Sequence, residues 1–164
     1  MYWRALSGSH RTGTVSGVSE PAERRIDVGA THVALTVTDL DASLAFWATY
    51  ANMSVVHRRR DDGEVAWISD LTRPFVMVLI ETDAVSHPLG GWAHIGVGVD
   101  SRDEVNARCA AAAAKGITVL GPIDSGPPVG YWAFLSDPDG HNLELSFGQE
   151  VGLTVEEHQA AEHT

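Results

Sequence analysis

Two histidines and one glutamate sit in matching surroundings. His32 is the second residue of Thr31-His-Val-Ala-Leu-Thr-Val37, His94 the second of Ala93-His-Ile-Gly-Val-Gly-Val99, and Glu144 the centre of Asn142-Leu-Glu-Leu-Ser146. Each segment alternates with period two, as a strand with unlike faces does. Residues i and i+2 share a face. His32 therefore lies beside Ala34 and Thr36, His94 beside Gly96 and Gly98, and Glu144 beside Asn142 and Ser146. Val, Ile and Leu take the opposite faces. Small residues cannot fill a core, so the polar face must line something hollow or wet. A carboxylate facing imidazoles there is costly unless paired, protonated or bound to a cation. A divalent metal meets that need, and two His nitrogens with one carboxylate leave positions open for water, substrate or oxygen. Fe(II) suits this ligand set first, with Mn, Ni or Zn also compatible. The three donors are expected to converge at about 2.0–2.3 Å from one point.

The elements that must hold these residues form a repeat. After each His-bearing strand comes a helix. The first starts near Asp39 or Asp41, places Leu40, Leu44, Trp47, Ala48 and Ala51 on one face, and ends at Asn52, a suitable left-handed cap. The second opens with Ser101-x-x-Glu104, a capping box, and stops at Gly116. Three strands then complete each copy: Met53–Arg59, Glu64–Ser69 and Pro74–Glu81 in the first, Ile117–Leu120, Val129–Ser136 and His141–Gly148 in the second. Asp61-Asp-Gly63 and Asp137-Pro-Asp-Gly140 mark turns. Trp67-Ile-Ser-Asp70 and Phe134-Leu-Ser-Asp137 take the same place in the two copies. The expected fold is α+β, two tandem β-α-β-β-β modules spanning residues 30–82 and 93–148, with a linker at 83–92. Residues 1–29 read as a flexible arm, and 149–164 as an acidic tail able to form a short helix.

Composition narrows the function classes. The chain has 164 residues with 44% hydrophobic, enough for a core, and its 11 basic against 22 acidic residues give a net charge of −11. Such a surface repels phosphate backbones and anionic lipid, so neither nucleic acid nor a membrane surface is an expected partner. No apolar run is long enough to span a bilayer, and the first 20 residues lack a secretory pattern, so a cytoplasmic location is expected. The one cysteine, Cys109, excludes an internal disulfide and a cysteine-rich zinc site, leaving nitrogen and oxygen ligands.

Residues 31–148 resemble the vicinal oxygen chelate superfamily, which includes glyoxalases, bleomycin and fosfomycin resistance proteins and extradiol dioxygenases. The likeness rests on Thr31-His32-Val-Ala-Leu-Thr-Val, Asp41-Ala-Ser-Leu-Ala-Phe-Trp leading into Ala51-Asn-Met53, Ala93-His94-Ile-Gly-Val, and Phe134-Leu-Ser-Asp-Pro-Asp-Gly-His-Asn-Leu-Glu144-Leu. It implies a half-barrel cup around a metal, with His32, His94 and Glu144 as ligands. It also implies a homodimer, with the site within one chain or shared between two.

The departures from the family pattern narrow the reaction. Counting seven from the matched aspartates, Asp137 leads to Glu144 but Asp70 leads to Met77, flanked by Val76 and Val78. The glutamate that serves glyoxalase-type members as fourth ligand and base is therefore missing. Phe134 stands where extradiol dioxygenases have a tyrosine. Residues 95–148 carry only Arg102, Arg108 and Lys115, all on the outer helix, too little positive charge for an anionic, fosfomycin-like substrate. His141 reads as structural, His57 and Arg58–Arg60 as a solvated tip, and Gly121–Gly130 as a loop near the cup or a plain connection. Trp67, Trp132 and Phe134 are expected to wall the cup, suiting a small planar or apolar substrate with chelating oxygens. The leading expectation is a metal-dependent enzyme, dioxygenase-like or a lyase or isomerase. The alternative is a metal-free drug- or ligand-binding protein like those of bleomycin resistance.

Overall fold

The computed structural model of the chain describes residues 27–61 and 63–162, so most of the N-terminal arm lies outside the described residues. Within them the first module comprises β1 (His32–Val37), α1 (Leu40–Ala51), β2 (Ser54–Arg59), β3 (Val65–Ser69) and β4 (Val76–Glu81). The second comprises β5 (His94–Gly98), α2 (Arg102–Ala114), β6 (Val119–Asp124), β7 (Tyr131–Ser136) and β8 (Asn142–Phe147), and α3 (Val151–Ala161) follows. Each module folds into its own four-stranded sheet, ordered β1-β4-β3-β2 and β5-β8-β7-β6. The first strand runs parallel to the last, and the other pairs are antiparallel. The α+β architecture of two β-α-β-β-β repeats is thus present.

Local chemistry sets the helix ends. The Asp39 carboxylate accepts from Ala42 N at 2.8 Å, and Asn52 closes α1 in the left-handed region at φ 55°. Ser101 Oγ accepts from Glu104 N at 3.1 Å to open α2. The buried face of α1 is rotated from the one its sequence suggested: Ser43, Phe46 and Tyr50 are buried with Leu40, Trp47 and Ala51, while Ala48 is exposed. The second module meets this side of the helix: Arg108 on α2 donates to the Tyr50 carbonyl at 2.6 Å.

The helix-side faces of both sheets contribute to one core, with Leu35, Val37, Met77 and Leu79 from the first module and Val105, Leu135, Leu143 and Leu145 from the second. Polar contacts weld the modules. Trp47 Nε1 donates to Asp137 Oδ2 at 3.3 Å, and Thr38 donates to Asp139 through its backbone N at 3.0 Å. His141 is 1% exposed; its Nδ1 accepts from Leu89 N at 3.0 Å and its Nε2 donates to the Thr36 carbonyl at 2.8 Å. It ties the linker to both modules, the structural role expected for it.

One strand differs from expectation. β6 runs to Asp124, so the first part of the Gly121–Gly130 segment is strand and not loop. The pairing with β7 breaks register between Leu120 and Ile123. Pro122, which has no N–H to give, sits in that bulge, so its partners continue the ladder on either side.

Candidate metal centre

In the second module, the register sets one polar face. His94 lies opposite Asn142, Gly96 opposite Glu144 and Gly98 opposite Ser146, while Phe134 lies opposite Glu144 and Trp132 opposite Ser146. His94 Nε2 and Glu144 Oε2 are 3.4 Å apart, with side chains 32% and 7% exposed. The His94 Nδ1 is 2.7 Å from the Trp92 carbonyl, which can only accept, so the ring proton sits on Nδ1. In the neutral ring, Nε2 then turns a lone pair toward a nearly buried carboxylate. Two facing acceptors repel unless a proton or a cation lies between them. Their spacing also matches two ligands each about 2.1 Å from one ion. The donor pair fits a divalent metal.

Around this pair stands an aromatic wall. The Phe134 ring lies 4.8 Å from His94 and 4.9 Å from Trp132, and Trp92 meets Trp132 and Phe134 at 6.2 Å each. Trp132 Nε1 donates to Ser125 Oγ at 2.9 Å, which fixes its ring. Trp92 remains 76% exposed at the rim. This residue escaped the sequence reading because it belongs to the linker, where no periodicity assigns a face.

His32 is placed elsewhere. It lines a cavity of about 650 Å³ formed by described first-module residues, among them Ala34, Val56, Trp67, Phe75 and Val78. Its Nδ1 meets Thr31 Oγ1 at 3.0 Å. Among the described residues, no group of three His, Cys, Asp or Glu side chains is close enough to hold one ion. The expected convergence of His32, His94 and Glu144 therefore does not occur within a single chain: the structure brings together His94 and Glu144 and leaves His32 on the other sheet. Trp132 and Phe134 share the face of Glu144, whereas Trp67 shares that of His32.

The first module answers the second position by position. His32 pairs with Val76 as His94 pairs with Asn142, so the counterpart of Glu144 is Val78, not Met77. The one-residue difference comes from the turn before β4, which holds one residue more than that before β8 and passes through Leu71 at φ 63°. Trp67, opposite Val78, is the counterpart of Phe134. His57 lies opposite Trp67, with ring centroids 5.2 Å apart, so it shares the cup face while remaining exposed, as the solvated reading expected. The basic side chains of the second module are engaged away from the cup. Arg102 pairs with Asp124 at 2.7 Å, Arg108 pairs with Glu104, and Lys115 lies over the Tyr50 ring at 5.8 Å.

Comparison with known proteins agrees with this architecture. The chain is 36% identical over 126 residues to the uncharacterized protein PA2024 of Pseudomonas aeruginosa, covering 74% of this chain and 90% of that protein. Among solved structures it is similar to the fosfomycin resistance protein FosX of Listeria monocytogenes complexed with Mn(II) and sulfate. That match has 21% identity and a TM-score of 0.61, covering 80% of this chain and 99% of the other. It is also similar to TnmS3, an antibiotic binding protein from Streptomyces sp. CB03234, with 19% identity, a TM-score of 0.55, and coverage of 76% and 98%. The sequence profile of one family matches residues 29–145, from ahead of β1 to within β8, and the chain belongs to that family, the Glyoxalase/Bleomycin resistance protein/Dioxygenase superfamily.

Proposed function

We propose that the protein is a divalent-metal-dependent enzyme whose site is completed by two copies of the chain. His94 and Glu144 of one copy and His32 of the other supply the ligands. The observation that carries the reading is the His94–Glu144 pair, with Nε2 3.4 Å from a nearly buried carboxylate oxygen while Nδ1 is turned to the Trp92 carbonyl. The two-copy arrangement follows from the sheets. β1 and β5 each end a sheet with an open edge, and each carries one of the histidines. Neither edge is protected by Pro or Lys, so each is a template for pairing with another chain. Pairing β1 of one copy with β5 of another in a symmetric dimer would place His32 beside His94 twice.

When bound, the metal would act as a Lewis acid on the vicinal oxygens of a small substrate. The FosX protein of the same fold is complexed with Mn(II), which supports a divalent ion, with Fe(II), Mn(II), Ni(II) and Zn(II) all compatible with these donors. The protein's own residues set the rest. Trp92, Trp132, Phe134 and Trp67 offer stacking faces for a planar group, while Arg102, Arg108 and Lys115 are engaged elsewhere and Arg73 borders the cavity of His32. Val78 in place of a second glutamate removes the base that glyoxalase chemistry needs.

The test is a titration of EDTA-treated protein with Mn(II), followed by addition of 4-nitrocatechol, a planar chelator whose spectrum reports metal contact. The reading expects near-equal stoichiometry of metal and chain, a dimer by sedimentation, and a spectral change that needs the metal. Loading of three ligands in a monomer would contradict the two-copy site. Nitrocatechol binding that persists in EDTA, without metal uptake, would support the binding-protein alternative that the absent base and the likeness to TnmS3 favour.

A further inference from the structure

We infer that Gln149 is a positioning residue for the metal-binding carboxylate, and that the Ser125–Gly130 turn exists to seat it. This rests on the metal reading above. The Gln149 Nε2 donates to Glu144 Oε1 at 3.1 Å, while the other carboxylate oxygen, Oε2, faces His94. One oxygen is thus held by the protein and the other is presented to the ion. The amide orientation is fixed by chemistry: a carboxylate requires the NH2 end, leaving the amide oxygen to accept from Ser146 Oγ at 3.4 Å. The approach is open because Gly96 and Gly98 flank it. Only the Glu144 carboxylate, at 3.7 Å, lies near where a Cβ on Gly96 would stand, and nothing lies near one on Gly98.

The backbone of Gln149 is clamped from the opposite side. Glu150 N donates to the Pro128 carbonyl at 2.9 Å. Gly130, at φ 83°, is pressed so closely on the exit of β8 that a Cβ would stand 2.5 Å from the Phe147 oxygen and 2.9 Å from the Gln149 nitrogen. Only glycine fits there, for both its conformation and its clearance. The same turn carries Ser125, which receives the Trp132 indole N–H. One turn therefore positions the aromatic wall and the residue that orients Glu144. Groups that orient a metal ligand typically alter affinity 10–100-fold when removed.

The experiment is Mn(II) affinity by electron paramagnetic resonance on the full chain, for wild type, Gln149→Ala and Gln149→Leu, with the Tm of each metal-free protein. The leucine variant keeps the bulk and loses the donor. We expect Kd to rise about 10–100-fold in both variants, with the metal-free Tm within about 2 °C of wild type, because the hydrogen bond orients a ligand and does not hold the core. A Kd unchanged or tightened in a folded variant would overturn the positioning role and leave the metal reading standing. A wild type that binds no Mn(II) would overturn both.

Discussion

The two modules share an architecture and differ in what they place on it. Both carry a histidine at the first residue of an edge strand, and both put an aromatic ring two strands away, Trp67 in one and Phe134 in the other. Where the second module has Glu144, the first has Val78, and where the second has Trp132, the first has Val65. The aspartates of the matched turns diverge as well. Asp137 is buried and accepts from Trp47, His141 and Asp139, whereas Asp70 bonds within its own turn, to Thr72 and, at 3.7 Å, Arg73. The second module therefore holds most of the chemistry and the anchor of the inter-module core. In the proposed reading the first supplies a single ligand, His32, and a mainly apolar wall that Arg73 borders. Under that reading neither cup is complete alone, and the asymmetry between the repeats is what two copies would make good.

The largest expected effect comes from removing the feature that only the second module has. Glu144→Gln should weaken Mn(II) binding more than 100-fold, beyond what loss of an orienting group produces. Isothermal titration checks it, and a loss under tenfold would mean that the carboxylate is not a ligand. The converse substitution gives the first module what it lacks. In the proposed dimer Val78 of one copy faces the centre held by the other, so Val78→Glu adds a carboxylate to the cup and should tighten Mn(II) binding about tenfold. Unchanged affinity would show that the first-module sheet does not face the metal.

Stability offers the next contrast. Asp137→Asn should cost about 1–3 kcal/mol in urea unfolding, because the Trp47 indole loses an ionised acceptor. The matching Asp70→Asn should cost less, under about 1 kcal/mol, because Asp70 is half-buried and its partners lie within its own turn. A smaller pH effect accompanies the first. Burial pushes the Asp137 carboxyl above its ordinary value, against the backbone N–H of His141, which lowers it. A folded pKa above the unfolded one means that the native state binds the proton more tightly. The contribution of Asp137 to stability therefore falls as pH rises through the window from the unfolded to the folded value, and is recovered as pH falls through it. Urea unfolding of wild type and Asp137→Asn between pH 7 and pH 4 should show wild type gaining on the variant toward acid. The opposite slope would contradict the burial account.

Much of this was legible in the sequence, for local reasons. The caps of α1 and α2 depend on residues three or four apart, and the histidine register follows from a period of two. What escaped is set by non-local packing. The continuation of β6 through Pro122 depends on its bulged pairing with β7. The counterpart of Glu144 is Val78 because one turn has an extra residue at Leu71, which a fixed count cannot detect. Trp92 and Gln149 lie just outside the periodic segments, and only the fold brings them to the site. The separation of His32 from His94 and Glu144 depends on how the two modules pack, which leaves no trace in either strand.

The shared site is tested most directly by mixing two defective copies. His32→Ala and Glu144→Gln chains with different tags would be refolded together and the mixed dimer isolated by sequential affinity steps. Each variant alone should retain no Mn(II) after desalting. In the mixed dimer, one cup combines His32 of the Glu144→Gln chain with His94 and Glu144 of the His32→Ala chain, so one ion per dimer should be recovered. A mixed dimer that binds none, beside a wild type that binds two, would contradict a centre built across two chains.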